Sequence, residues 1–168
     1  SNKKQIWDSP LTEWVASWKE PQTLTLTTKA SKILDGYSFE MTSQGSGFEK
    51  IIGPIKGLTV NKRGSGNMIF SDLSTKYLQT KTHQTPEQNL IPAAIPEKCV
   101  WSKLKDDVLI CGTDTKNNSL LDEWYQGLVQ MKDKLWIYDI STGATELLSD
   151  LEKEVGQIDL IEPKLSND

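Results

Sequence analysis

The sequence has few of the features that mark membrane proteins, nucleic-acid binders and metalloproteins. Its longest apolar stretches are strand-sized, far short of the roughly 18 residues of a membrane span. It carries one histidine, two cysteines and a net charge of −4. Its nearest approach to a basic patch is two isolated pairs, Lys3-Lys4 and Lys62-Arg63. We therefore expect no membrane span in this chain and no nucleic-acid binding.

Motifs for catalysis or cofactor binding are also missing. His83 lies in a polar loop, and no Gly-x-Ser-x-Gly nucleophile elbow accompanies it. His83 with Cys99 and Cys111 gives too few ligands, at the wrong spacing, for a zinc site. Carboxylates such as Asp106-Asp107 are expected in turns, and sequence alone does not pair them as acid and base. The sequence therefore predicts no cofactor, no metal and no enzyme.

Helical periodicity is scarce, and short runs rich in Thr, Val, Ile and aromatic residues recur between turn residues. This pattern is typical of an all-β protein. The segment Thr23–Thr28 alternates strictly between Leu and Thr. It predicts a strand with one buried face and one polar face.

Two kinds of hairpin alternate along the chain. The first kind, two strands around a Ser/Thr/Gly turn, occurs at 36–52 and at 135–148, with a weaker copy at 76–91. The second kind occurs at 58–71 and at 99–111, with an earlier copy at 14–26. Copies of the second kind lie about 40 residues apart, the period of propeller blades.

One hairpin of each kind makes a four-stranded antiparallel sheet, which is the unit of a β-propeller. Three such blades do not close a ring, since propellers have about 4 to 8. We therefore expect a fragment of a longer propeller or a homodimer that completes the ring. A β-sandwich is the alternative fold, although it would show no 40-residue repeat. The predicted single repeat domain covers 1–168, with blades at 5–52, 57–95 and 98–160.

Two segments carry a resemblance to a known family. Residues 136–143, Trp-Ile-Tyr-Asp-Ile-Ser-Thr-Gly, and residues 163–168, Pro-Lys-Leu-Ser-Asn-Asp, resemble the TolB-like, WD40-like β-propeller repeats of bacteria. In that family a strand pair with this Asp and Thr-Gly precedes a Ser-Pro-Asp-Gly turn, which Ser166-Asn167-Asp168 would begin. The resemblance implies a propeller fold, a binding role and an extracytoplasmic location. It transfers no catalytic residue.

The two cysteines are placed symmetrically about Lys105, the midpoint of a hairpin. Paired strands would set Cys99 and Cys111 opposite each other on one face. They form either a cross-strand disulfide, which would suit an oxidising compartment, or a pair of buried thiols.

Trp124 and Tyr125 are the aromatic residues most suggestive of function. They lie in an insertion between two hairpins, where residues 119–128 predict one or two helical turns capped by Ser119. Insertions of this kind often form the binding face of a repeat protein. Trp124, Tyr125, Asp122 and Gln126 are therefore the candidate binding residues. The alternative is a lid that packs over the propeller.

The function expected from the sequence is a non-catalytic scaffold that binds a protein partner. The first alternative is a glycan-binding module that uses the Trp124-Tyr125 loop. The second alternative is a hydrolase-like enzyme with its site at the propeller axis.

Overall fold

The computed structural model describes residues 5, 8–11, 13–64, 66–72, 78–82, 86–114 and 121–166. Within these ranges the chain forms three sheets, each of four antiparallel strands, and only short helices. The all-β prediction with four-stranded antiparallel blades is confirmed. The chain divides into two compact units, Ser1–Leu58 and Thr59–Asp168.

The first unit contains one sheet, in which each strand pairs with the next along the chain. Leu24, Leu26 and Met41 form its buried core, and Trp14 packs against them. The ring of Phe39 stacks on that of Phe48, with centroids 4.7 Å apart. The strands are β1 (Trp14–Glu20), β2 (Thr23–Thr28), β3 (Asp35–Thr42) and β4 (Glu49–Lys56).

Strand β2 differs from its sequence prediction. Its Thr face is buried as well as its Leu face, with Thr25 3% and Thr27 8% exposed. Thr27 shares a hydrogen bond of 2.9 Å with the hydroxyl of Ser38, its cross-strand partner in β3. Because a partner accepts or supplies the hydroxyl hydrogen bond, the polar face tolerates burial. The prediction of a half-buried strand was therefore wrong.

The second unit contains two sheets, again with neighbouring strands paired in chain order. Strands β5 (Thr59–Lys62), β6 (Met68–Ser71), β7 (Leu78–Lys81) and β8 (Gln88–Leu90) form one of them. Strands β9 (Cys99–Trp101), β10 (Val108–Thr113), β11 (Lys134–Asp139) and β12 (Ala144–Ser149) form the other. Short helices α1 (Leu121–Tyr125) and α2 (Leu151–Glu154) follow β10 and β12, and a 3₁₀ turn (Pro96–Lys98) precedes β9.

These two sheets share one core. It includes Ile69 and Leu78 from the sheet of β5–β8, and Leu109 and Tyr138 from the sheet of β9–β12. All four side chains are fully buried. The side-chain amide of Asn61 donates to the carbonyl of Cys99 at 2.8 Å, and its oxygen accepts from the indole of Trp101 at 3.1 Å. A single asparagine on β5 therefore bridges to both ends of β9.

The turn between β11 and β12 explains the family-like motif of residues 136–143. One oxygen of Asp139 accepts from the backbone amides of Ser141 and Thr142, at 2.9 and 3.1 Å. The hydrogen bond from the Ser141 hydroxyl, at 2.6 Å, holds the pKa of Asp139 below its usual range. Gly143 has a φ of 75°, which a residue with a side chain rarely adopts. The Asp and the Gly of the motif thus both define the turn.

The second family-like segment, 163–168, joins no sheet where its position is described. Residues 163–166 form no strand, and residues 167–168 lie outside the described residues. The segment is held instead by side-chain contacts, since Lys103 donates to the Ser166 carbonyl at 2.8 Å. A strand needs a neighbour to satisfy its backbone groups, and no described strand pairs with this segment.

Gly112, near the end of β10, leaves room for Leu160 in the segment after α2. A Cβ atom at this position would lie 2.7 Å from Leu160 Cδ1 and 3.1 Å from Asp133 Oδ2. Contacts this short require one of these neighbours to move. The absence of a side chain therefore lets residues 159–160 pack directly onto the sheet.

We expect Gly112→Ala to lower the free energy of unfolding by about 1–3 kcal/mol, because it overfills this contact. Urea unfolding gives the value. In a Leu160→Ala background the cost should be smaller, since the Cδ1 atom that the new methyl meets is gone. An equal cost in both backgrounds would show that Leu160 is not what the methyl group displaces.

Candidate functional site

A buried lysine organises one corner of the second unit. The Lys98 side chain is 1% exposed, and its ammonium lies 2.6 Å from Asp133 Oδ2 and 2.8 Å from Asp159 Oδ1. Lys98 ends the 3₁₀ turn, Asp133 precedes β11, and Asp159 lies in the segment after α2. One ammonium group therefore ties together three parts of the chain that are far apart in sequence.

The two carboxylates have further partners. Asp133 Oδ2 accepts from the Leu160 amide at 2.7 Å, whereas its buried Oδ1 atom has no hydrogen-bond partner. Asp159 Oδ2 accepts from the Met131 amide at 3.1 Å. Burial raises the pKa of Asp133, and the charge of Asp159 adds to the rise, while Lys98 and the Leu160 amide oppose it.

Helix α1 places Trp124 over this cluster. The indole N–H donates to Asp159 Oδ2 at 3.0 Å, and the Lys98 ammonium lies 5.2 Å from the centre of the ring. An ammonium group at this distance is attracted by the ring electrons. Trp124 is therefore partly buried and held in place by this cluster.

A pocket of about 630 Å³ opens beside α1. It combines an aromatic pair, an apolar rim and several carboxylates, and none of the described residues that line it is basic. The rim residues Leu128 and Ile161 are 70% and 67% exposed. The lining consists of Glu97, Trp124, Tyr125, Gly127, Leu128, Val129, Gln130, Asp159, Ile161 and Glu162.

Two of the lining groups are held in unfavourable surroundings. The buried Tyr125 hydroxyl faces the Glu97 carboxyl but does not complete a hydrogen bond of ordinary geometry with it. Burial raises the pKa of Glu97, and the nearby Glu162 charge adds to the rise, while Tyr125 opposes it. Glu162 itself has a φ of 47°, an uncommon backbone conformation for a residue with a side chain. Strained and poorly solvated groups of this kind are common in binding sites.

The candidate residues chosen from sequence separate into two groups. Trp124 and Tyr125 line the pocket, whereas Asp122 and Gln126 do not. The backbone carbonyl of Asp122 accepts from the backbone amide of Gln126 at the end of α1, at 3.0 Å, and Gln126 is exposed. The predicted helical turn is present as α1, but its predicted cap, Ser119, lies outside the described residues.

Sequence reasoning missed the residues that build the site, namely Glu97, Lys98, Asp133, Asp159 and Glu162. Lys98 and Asp159 are 61 residues apart, so no spacing rule connects them. The one local signal is the Pro-Glu-Lys turn just before β9, which places two charged residues next to a strand rich in apolar side chains.

Cys99 and Cys111 are paired opposite each other in β9 and β10. Their sulfur atoms are 2.05 Å apart, as in a disulfide bond. Both side chains are buried, and Cys99 directly follows Lys98. This cross-link therefore lies at the base of the site.

The other features weighed from sequence do not join the pocket. Asp106 pairs with Arg63 at 2.7 Å, and Asp150 pairs with Lys134 at 2.8 Å. His83 lies outside the described residues. Among the residues with described positions, no three His, Cys, Asp or Glu side chains gather as a metal ion would require. In the same part of the chain, no helix has the length and apolar character needed to cross a bilayer.

Comparison with known proteins gives a fold likeness and no family. No family model matches the sequence, and no curated protein matches it. Among solved structures, an oligogalacturonate lyase in complex with manganese superposes with a TM-score of 0.50 and 8% sequence identity. The likeness covers 78% of this chain and 34% of that one, so the present chain spans about a third of its length.

This likeness supports a propeller-type fold and corrects one prediction. The prediction that the chain is not an enzyme was wrong, because the matched fold is that of an enzyme. At 8% identity the likeness shows the fold alone. It transfers no residue, and the described residues contain no cluster suited to the manganese of the lyase complex.

Removing the central cation should unfold this corner of the protein. We expect Lys98→Met to lower the free energy of unfolding by about 3–5 kcal/mol, because it leaves two buried carboxylates without their cation. The matched control is Lys132→Met, whose ion pair with Glu152 is half exposed and should contribute less than about 1 kcal/mol. Similar losses in the two variants would contradict a central role for Lys98.

The raised pKa of Glu97 predicts that ionising this group lowers the stability of the folded state. The folded state holds this proton more tightly than the unfolded state, so stability falls as pH rises above the ordinary value of 4.5. Glu97→Gln removes the titration. We expect its melting temperature to exceed that of the wild type near neutral pH, with the difference vanishing toward pH 4.5 and below.

The control for this experiment is Glu146→Gln, at an exposed position on β12. It removes the same charge and should leave the shape of the pH profile unchanged. A Glu97→Gln profile parallel to that of the wild type would mean that burial does not alter the Glu97 titration.

Proposed function

We propose that this chain is a propeller-type module that binds a sugar unit in the pocket beside α1. The observation that carries the proposal is the pairing of Trp124 and Tyr125, whose ring centres are 5.2 Å apart, with carboxylate and amide groups in one pocket. Sugars present apolar C–H faces and many hydroxyl groups. Aromatic rings pack against such faces, and fixed polar groups orient the hydroxyls.

The size and rim of the pocket support the same proposal. A volume of about 630 Å³ is in the usual range for small-molecule sites. Leu128 and Ile161 extend its apolar surface to the solvent, where further units of a chain-like ligand would lie. The name of the fold neighbour contains a sugar chain, oligogalacturonate. This supports the proposal by analogy of fold only.

Cleavage of the bound sugar is the second candidate function. Glu97 favours it, because a carboxyl group whose pKa is raised by burial retains the proton that a general acid donates to a leaving oxygen. An assay for new reducing ends, run with wild type and Glu97→Gln, distinguishes cleavage from binding alone.

Three expectations from sequence stay predictions. These are a protein partner, self-association that completes a ring, and membership of the TolB-like, WD40-like repeats. Light scattering in solution tests self-association against the monomer mass of 18.9 kDa. A disulfide between Cys99 and Cys111 suits an oxidising compartment, which supports an extracytoplasmic location.

Tyr125→Phe tests the binding proposal without disturbing the fold. The buried Tyr125 hydroxyl faces Glu97 without completing a hydrogen bond of ordinary geometry, so we expect its removal to change the free energy of unfolding by less than about 1 kcal/mol. Binding of a sugar whose hydroxyl would pair with it should weaken by up to about tenfold. Calorimetric titration with neutral and charged oligosaccharides measures the affinity, and urea unfolding measures the stability.

The matched control is Tyr37→Phe, which removes a hydroxyl from β3 in the other unit. Its affinity should equal that of the wild type. Sugar binding that survives unchanged in Tyr125→Phe would show that the ligand occupies another surface.

A further inference from the structure

The charge of the pocket restricts the kind of sugar that fits. Glu97, Asp159 and Glu162 line it, and no lysine, arginine or histidine does so among the residues that the structure describes. The Lys98 ammonium lies beneath, but its side chain is 1% exposed and Asp133 and Asp159 already neutralise it. An anionic ligand would therefore meet an excess of negative charge in a partly desolvated space.

The aromatic side chains favour a cation in the same space. The Trp124 ring already attracts one ammonium group, that of Lys98, at 5.2 Å from its centre. The planes of Trp124 and Tyr125 are tilted by 52° to each other, so the two rings form a corner and not a flat stack. Aromatic corners combined with carboxylates are a common way to bind alkylammonium groups.

The hydrogen-bonding groups of the pocket also favour a cationic ligand. An ammonium group has three donors and no acceptor. The pocket offers the carboxylates of Glu97 and Glu162, and the Tyr125 hydroxyl oxygen, whereas the described lining side chains supply few donors. The Trp124 N–H is already used by Asp159. A carboxylate on the ligand would find little to replace its bonds to water, while an amine would find several acceptors.

We infer that the sugar bound in this pocket carries a protonated amine, which lies between the Trp124–Tyr125 corner and the carboxylates of Glu97 and Glu162. The inference rests on the proposed sugar-binding function and narrows it to amino sugars. The ligand expected here therefore differs in charge from galacturonate, the sugar acid in the name of the fold neighbour.

The experiment compares three trisaccharides on the purified, disulfide-bonded chain. Titration calorimetry uses glucosamine, N-acetylglucosamine and galacturonic acid trimers at pH values from mildly acidic to neutral. The range is needed because acid protonates the amine, while the raised pKa of Glu97 favours its uncharged form there. The first two differ by acetyl groups that remove the charge, and the third reverses the charge. We expect the glucosamine trimer to bind at least about tenfold more tightly than its acetylated form, and the galacturonate trimer to bind more weakly than either.

Variants that remove one carboxylate at a time show which group sets the preference for the amine. Glu162→Gln should reduce the preference for the amine several-fold, with little loss of affinity for the acetylated trimer. The control Glu146→Gln removes the same charge from an exposed position on β12 and should keep the full preference. An equal reduction in both variants would mean that net charge, and not the pocket, sets the preference, and would overturn the inference.

The outcomes also separate this inference from the proposed function. Equal binding of the two glucosamine-based trimers, or tighter binding of galacturonate, would overturn the amine preference and leave sugar binding intact. Absence of binding by all three trimers would overturn both.

Discussion

The site depends on one interaction, the burial of the Lys98 ammonium between Asp133 and Asp159. A charge removed from water is costly unless partners replace its hydration. Here two carboxylates, the Met131 sulfur and the Trp124 ring surround it. Because these partners come from three parts of the chain, the ion cluster fixes the position of α1 and of residues 158–162 together. The pocket lies between those two segments.

The sheet beneath makes this burial feasible. The Cys99–Cys111 pair fixes β9 against β10 one residue after Lys98, so the lysine backbone has little freedom to move away from its partners. Gly112, next in β10, lets Leu160 approach the sheet closely enough for its amide to donate to Asp133. The disulfide at Cys111 and the absence of a side chain at Gly112 therefore act together to position the cluster.

Local patterns in the sequence predicted much of the fold and little of the site. Hairpins, their alternation and the opposed cysteines follow from two-residue periodicity and turn residues, which act over short distances. Trp124 and Tyr125 were found because they interrupt that repeat. Lys98 and Asp159 were not found, because their contact depends on how distant segments meet in space. The polar face of β2 was misjudged because hydroxyl pairing with the neighbouring strand permitted its burial.

The fold does not decide between binding and catalysis, but the hydrogen bonds of the carboxylates narrow the choice. Acid-catalysed cleavage of a glycosidic bond generally needs a proton donor and a second carboxylate that is free to attack or to activate water. Both oxygens of Asp159 are engaged, by Lys98, Trp124 and the Met131 amide. Asp159 is therefore a structural carboxylate. Among the described lining residues, the carboxyl pair left for catalysis is Glu97 as the acid and Glu162 as its partner, and these are the same two groups that would bind an amine. A tightly held ammonium group between them would occupy both carboxylates. Strong amine binding and efficient cleavage at this one position are therefore mutually exclusive.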